Sequence, residues 1–303
     1  MEAPKALVLG ASGQVGQALF RELKARGWRC EGSYFEHPEV APGLFHLDLA
    51  DLKGIRDQIL SRRPNALFLP SGWTWVDGCE DDPQRAFLIN ARAPEAAAQA
   101  AALLQCACVY YSTEYVFGEE GGPYDELRAP DPVGVYGASK LEGEARVLSA
   151  WSGSLVLRTT VVYGPDRQKK NFVCQLVKAL SEGKPMKVPA DQVSSPTYNR
   201  DLARASVDLV ERKLRGLWNV AGQGTIDRYH FAKIAARVFG LDADLISPVA
   251  TADLRQKARR PLGAGLDIEK LAKTLAWSPR SPETGLVAMR EEMEAEDGRT
   301  GKR

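Results

Sequence analysis

A phenol, an amine and a hydroxyl carry the chemistry that this sequence can do. Tyr136-Gly137-Ala138-Ser139-Lys140 sets a tyrosine and a lysine four residues apart, on one face of the helix that Val133-Gly134-Val135 leads into. A phenol of pKa about 10 is a poor acid or base at neutral pH, but a cation beside it favours the phenolate and draws it toward the working range. Upstream, Tyr111-Ser112-Thr113 closes a strand-like run, where a hydroxyl can reach the carbonyl that the tyrosine protonates. Thr113, Tyr136 and Lys140 then form a reductase triad, in which Lys140 also holds the ribose hydroxyls of a nicotinamide cofactor. A tyrosine and lysine at this spacing also occur on ordinary surface helices. The strand-end Ser-Thr, the chain order and a glycine turn near the N-terminus weigh for the triad.

That turn is Gly10-Ala11-Ser12-Gly13-Gln14-Val15-Gly16, with GxxGxxG spacing, between a first strand at Lys5–Leu9 and a helix from about Gln14 to Ala25. Glycine allows the tight bend and lets backbone N–H groups approach a pyrophosphate, while the helix N-terminus adds partial positive charge. Gly10, Ser12, Gly13, Gln14, Val15 and Gly16 are therefore candidate cofactor contacts. An NAD-selective site needs an acid at the end of the second strand, and Ser33-Tyr34-Phe35-Glu36-His37 offers only Glu36, well along. The expectation leans to NADP(H), with NAD(H) left open. Asp48-Leu49 are placed to meet the adenine ring, or equally to start the next helix.

These groups require elements to carry them. Short apolar runs alternate with helical segments: Arg29–Tyr34, Leu44–Leu47, Ala66–Leu69, Ala107–Tyr111 and Leu155–Arg158 read as strands, and Asp82–Leu104 as a helix kinked at Pro94. Such alternation predicts an α/β protein with a Rossmann-type doubly wound parallel sheet, binding its ligand beyond the carboxyl ends of the strands. After Gly164-Pro165 prolines break up shorter helices such as Arg200–Arg212 and Arg228–Phe239. Residues 1–164 are read as the dinucleotide-binding domain and 165–295 as a smaller C-terminal substrate-binding lobe. Segments such as Leu217–Val220 return to the main sheet in this reading. Residues 296–303 read as a frayed, flexible tail.

Composition narrows the function. Forty Lys and Arg against 39 Asp and Glu leave a formal charge of +1, giving no signal for nucleic acid, and 44% hydrophobic with 26% charged residues fits a globular protein with a large core. The five cysteines lack paired spacing and the three histidines are scattered, so neither a disulfide framework nor a metal site is expected. The first apolar stretch is far short of a membrane span, and the chain is read as soluble and cytoplasmic.

Over nearly its whole length the sequence resembles the extended short-chain dehydrogenase/reductase superfamily and, within it, the dTDP-4-dehydrorhamnose reductase family. The residues that carry the likeness are Gly13-Gln14-Val15-Gly16, Trp73 to Asp77 with Glu80, Asn90, Ser112 to Phe117, Val135-Tyr136-Gly137 with Ser139-Lys140-Leu141, Arg158-Thr159, Val162-Tyr163-Gly164, Asn171-Phe172-Val173, Asp191-Gln192, Pro196-Thr197 and Arg260-Pro261. The resemblance implies hydride delivery from NADPH to the C4 ketone of a nucleotide-linked 6-deoxysugar. Tyr136 would be the acid, Lys140 would depress its pKa and anchor the ribose, and Thr113 would bond the carbonyl oxygen. It places Ser71, Gly72 and Trp73 with the cofactor, and Thr74, Val76, Asp77, Glu114, Tyr115, Asn171 and Arg260 with the substrate. Arg260 pairs with a diphosphate in this reading, or is solvated within the Lys257–Arg260 run.

Two departures bear on the substrate. The family commonly has a tryptophan where this chain has Val161 after Arg158-Thr159-Thr160, and Leu69-Pro70-Ser71-Gly72-Trp73 adds indoles at Trp73 and Trp75. Alternatives are another nucleotide-sugar epimerase or reductase, and a non-catalytic NADP-binding protein like the regulatory β subunit of methionine adenosyltransferase. A dehydratase is disfavoured by Glu114-Tyr115 in place of Asp-Glu. A homodimer is the commonest assembly for such a chain.

Overall fold

The computed structural model describes residues 2–37, 43–118 and 121–300, the last four by backbone alone. The first half runs β1 (Lys5–Val8), α1 (Gln14–Ala25), β2 (Arg29–Tyr34), β3 (Phe45–His46), α2 (Leu52–Arg62), β4 (Ala66–Leu69), α3 (Val76–Asp81), α4 (Pro83–Phe87), α5 (Ala93–Leu104), β5 (Ala107–Thr113), α6 (Val135–Ala150) and β6 (Ser154–Thr159). The second half follows as β7 (Val162–Tyr163), α7 (Phe172–Ser181), β8 (Met186–Pro189), β9 (Val193–Ser194), β10 (Thr197–Tyr198), α8 (Asn199–Glu211), β11 (Gly216–Asn219), β12 (Ile226–Asp227), α9 (Arg228–Val238), β13 (Ile246–Val249), α10 (Glu269–Leu275) and α11 (Pro282–Thr300).

Seven parallel strands form the main sheet in the order β3-β2-β1-β4-β5-β6-β11, a Rossmann-type arrangement. The period of two along each strand explains why both faces are covered. Ala6, Val8, Phe68, Val109 and Leu157 point toward α1, α8 and α10, whereas Leu7, Leu9, Leu67, Tyr110 and Val156 point toward α2, α5 and α6. Each such fully buried Leu, Val or Phe contributes about 1.5–3 kcal/mol of apolar burial. The chain order reverses between β1 and β4, which opens the crevice where ligands of this fold bind.

The second half both builds a lobe and returns to the sheet. Around Tyr163, Leu176, Phe231, Ile246 and Met289, α7, α9 and α11 close a separate core. Yet β11 pairs with β6 through Leu217↔Val156 and Trp218↔Leu157, and α8 and α10 join α1 in covering one face. The dinucleotide-binding unit thus draws on residues beyond 164, as Leu217–Val220 foreshadowed. The last helix continues by backbone through Thr300, past the start of the expected tail, and residues 301–303 lie outside those described.

The helix expected over Asp82–Leu104 is present as one helical run from Pro83 to Leu104, and the irregularity in it is a π-helical turn over Leu88–Arg92, just ahead of Pro94.

Candidate active site

The glycine turn is built as its sequence predicts. Gly10 holds φ +97°, and its N–H donates to Ser33 Oγ at 3.0 Å. A Cβ on Gly16 would lie 2.3 Å from the Gly10 carbonyl oxygen, so only glycine lets the helix start this close to the strand. A Cβ on Gly13 would meet only that oxygen, at 3.5 Å, which leaves the outer side of the turn open. Gly13 is the N-cap of α1 and offers no side-chain cap, so the first N–H groups of the helix remain for an anion. Ser12 and Gln14 do structural work through other atoms: the Ser12 carbonyl accepts from Gln17 and Gln168, and Gln14 Nε2 donates to the Val162 carbonyl at 3.2 Å. Val15 packs on the core.

Beside the turn lies a cavity of about 420 Å³, bounded by Gly10, Asp48, Leu49, Ser71, Gly72 and Trp73. These are six of the residues expected to hold the cofactor. Thr74, expected on the substrate side, opens into the same cavity, with Trp75 at its rim, 63% exposed. The open glycine turn bounds this cavity at one end, and the ends of β1 and β4 make one wall.

Helix α6 brings the catalytic candidates to this wall. Its N-terminus is capped by a carboxylate from another element, since Glu80 Oε1 accepts the Val135 N–H at 2.8 Å. A Cβ on Gly137 would fall 2.0 Å from the Tyr115 carbonyl oxygen, so the helix lies hard against the end of β5. The Tyr136 phenol lies close enough to the Thr113 hydroxyl to be influenced by it, and its ring meets that of Tyr115 edge-on at 5.5 Å. The Lys140 amine sits 4.1 Å from the Tyr110 ring centre and 3.7 Å from where a Cβ on Gly72 would stand. Asn90, inside the π-turn, locks the two parts together. Its amide exchanges hydrogen bonds with the Trp73 N–H (2.8 Å) and carbonyl (3.0 Å), and donates to Ser139 Oγ at 3.0 Å.

Burial decides the protonation states. It brings Lys140 down from its ordinary 10.5 to about 7, opposed by the carboxylate of Glu144 one turn on. Glu144 itself is committed to Arg158, at 2.9 and 2.7 Å, and to Ser112 at 2.5 Å. Burial also raises the Tyr136 phenol, a shift opposed by the nearby Thr113 hydroxyl. Tyr136 therefore holds its proton at neutral pH, the state that an acid needs.

The substrate candidates divide. Asp77 pairs with Arg260 at 3.0 Å and accepts the Ala258 N–H at 3.0 Å, so these two hold one another on the Tyr115 side of the site. Nη1 of Arg260 is buried with no hydrogen-bond partner among the described residues. Glu114 is buried next to Thr113, its Oε2 and the nearby Thr160 hydroxyl are without a hydrogen-bond partner among the described residues, and burial raises the carboxyl to about 8. Val76 packs near Tyr136. Asn171, expected on the substrate side, is buried and starts α7, Oδ1 accepting the Cys174 N–H at 3.1 Å and Nδ2 donating to the Gly164 carbonyl at 3.0 Å. Arg228, not foreseen, lies 4.5 Å over the Phe172 ring and close enough to Tyr115, Glu114 and Arg260 to feel their charges. Val161 holds φ +35°, a left-handed conformation rare for a β-branched side chain.

The model of the family described as the RmlD substrate binding domain matches residues 4–295. The chain is 30% identical over 289 residues to the probable low-salt glycan biosynthesis reductase Agl14 of Haloferax volcanii, covering 94% of this chain and 96% of that one. It is 29% identical to the methionine adenosyltransferase 2 subunit beta of Xenopus tropicalis, over 89% and 82% of the two chains. Among solved structures, the dTDP-4-dehydrorhamnose reductase of Bacillus anthracis in complex with NADP superposes with a TM-score of 0.87 at 28% identity, covering 96% of this chain and 100% of that one. With its glycine turn, its Tyr136–Lys140 helix and this match over almost its full length, the chain belongs to the RmlD substrate binding domain family.

Proposed function

We propose that this chain is an NADP(H)-dependent reductase of a 4-keto-6-deoxysugar carried on a nucleoside diphosphate. The observation that carries this reading is the Tyr136 phenol, buried beside Thr113 on the helix whose Lys140 amine faces the wall of the dinucleotide cavity. A bound nicotinamide cofactor supplies hydride at this wall. Tyr136 holds the proton that neutralises the forming alkoxide, and Thr113 orients the phenol and the carbonyl oxygen. Lys140, titrating near neutrality, can supply a cation to the ribose hydroxyls, against the desolvation that lowers it. Arg260 and Arg228 converge beside Tyr115, and the unpartnered Nη1 of Arg260 suits a diphosphate oxygen. The likeness to dTDP-4-dehydrorhamnose reductases supports the sugar class, while Val161 in place of the family tryptophan alters one wall of the sugar pocket.

The test is NADPH and NADH consumption, by absorbance, with dTDP-4-keto-6-deoxy-L-mannose, comparing the native chain with Tyr136→Phe. Turnover in the native chain and a loss of about 100- to 10,000-fold in the variant is the expected result. Cofactor binding with no turnover by the native chain would overturn the rhamnose assignment.

A further inference from the structure

We propose that Lys170, reaching over from the C-terminal half, is the residue that selects NADP(H) by taking the 2′-phosphate of the adenosine ribose. This rests on the reading of the 420 Å³ cavity as the dinucleotide site. Lys170 lines that cavity together with Tyr34, Phe35, Glu36, Asp48 and Leu49, the residues at the adenosine end. Its Nζ lies 3.0 Å from His37 Nε2, so ammonium and imidazole meet just past the end of β2.

The end of β2 itself is poorly suited to NAD. Ser33, buried, spends its hydroxyl on the Gly10 N–H, the Tyr34 ring packs edge-on against His46, and Phe35 is an exposed phenyl. None of the three can accept hydrogen bonds from two ribose hydroxyls as a strand-end carboxylate does. Glu36 is the first acid, two residues beyond the strand. No arginine takes up the phosphate-reading role on β2 either, since Arg29 stands at its start. The cation that the second strand lacks is supplied from elsewhere.

Lys170 is held in place for this. The segment before α7 is knotted to the glycine turn: Asp166 accepts the N–H of Gln168 (3.0 Å) and of Lys170 (2.9 Å), and Gln168 Nε2 donates to the Ser12 carbonyl at 3.0 Å. A lysine directly before the Asn171 N-cap of α7 opposes the helix dipole, so the helix gains nothing from it. A dianionic phosphate in the cavity reverses that sign, through a charge-assisted hydrogen bond to the ammonium.

The decisive measurement is direct binding by calorimetry, independent of turnover, using 2′,5′-ADP, 5′-AMP and NADP⁺ with the native chain, Lys170→Ala and Lys170→Arg. The native chain is expected to bind 2′,5′-ADP well above 5′-AMP. Lys170→Ala is expected to weaken 2′,5′-ADP about 10- to 100-fold while leaving 5′-AMP within twofold, and Lys170→Arg to restore most of the difference. Equal loss for both ligands would make Lys170 a merely structural residue and overturn the proposal, as would no loss for either. A native chain that binds NADP⁺ but does not prefer 2′,5′-ADP over 5′-AMP overturns it too, leaving the dinucleotide site intact. Failure to bind NADP⁺ at all would overturn the site reading with it.

Discussion

Lys140→Met separates the energetic cost of the catalytic lysine from its use. The native amine releases its proton near pH 7 in the folded chain but near 10.5 when unfolded, because burial disfavours the ammonium. Between these values the unfolded chain binds more protons, so stability rises with pH across that window. At 1.36 kcal/mol per unit, and allowing for partial titration near 7, the native apo protein gains about 2 kcal/mol from this group between pH 7 and pH 9. Methionine matches the lysine stem and carries no charge, so the variant lacks this gain. Urea denaturation of both proteins at pH 7, 8 and 9 is the assay. Lys140→Met is expected to be the more stable at pH 7, with its advantage shrinking by about 2 kcal/mol at pH 9. Titrating groups that do not feel Lys140, Glu114 among them, are common to both chains and cancel in the difference. A difference that stays constant across this range would refute the argument that burial sets the lysine's charge.

Three further outcomes follow from geometry and charge. Glu144→Ala strands the Arg158 guanidinium, whose side chain is only 3% exposed, and is expected to cost about 3–5 kcal/mol, read as a lowered urea midpoint. Gly137→Ala puts a methyl 2.0 Å from the Tyr115 carbonyl, pushing α6 off the end of β5. Activity in the ketosugar assay is expected to fall with cofactor binding kept, together with about 1–3 kcal/mol of stability. Glu114 keeps its proton up to about 8 when folded but loses it near 4.5 unfolded, so it lowers stability as pH rises between these values. Glu114→Gln should remove that decline of roughly 1 kcal/mol per pH unit, visible in melts at pH 5 and 8.

Local periodicity made the nucleotide-binding half legible. The turn at Gly10–Gly16, the limits of α1 and the triad order all follow from spacing within a few residues, and the structure keeps them. What the chain does with groups remote in sequence was less visible. Asn171 carries a cap for α7 that its sequence setting does not announce, and Pro94 does not by itself reveal the π-turn just ahead of it. Arg228 has an ordinary local setting, at the start of an amphipathic helix after an Asp cap. Only the packing of α9 brings it to Tyr115.

The way the second half returns to the sheet has a bearing on how the chain acquires its structure. One face of the dinucleotide-binding sheet is sealed in part by α8 and α10, and its β6 edge by β11, all of which emerge from the ribosome after residue 198. A nascent chain of about 165 residues would present Val109, Leu155 and Leu157 to water beside an unpaired strand edge. The nucleotide-binding unit therefore completes itself late in synthesis, and a fragment ending at Pro165 is expected to aggregate, where a separable domain would stay monomeric in sedimentation. On that face of the sheet the two halves share one core.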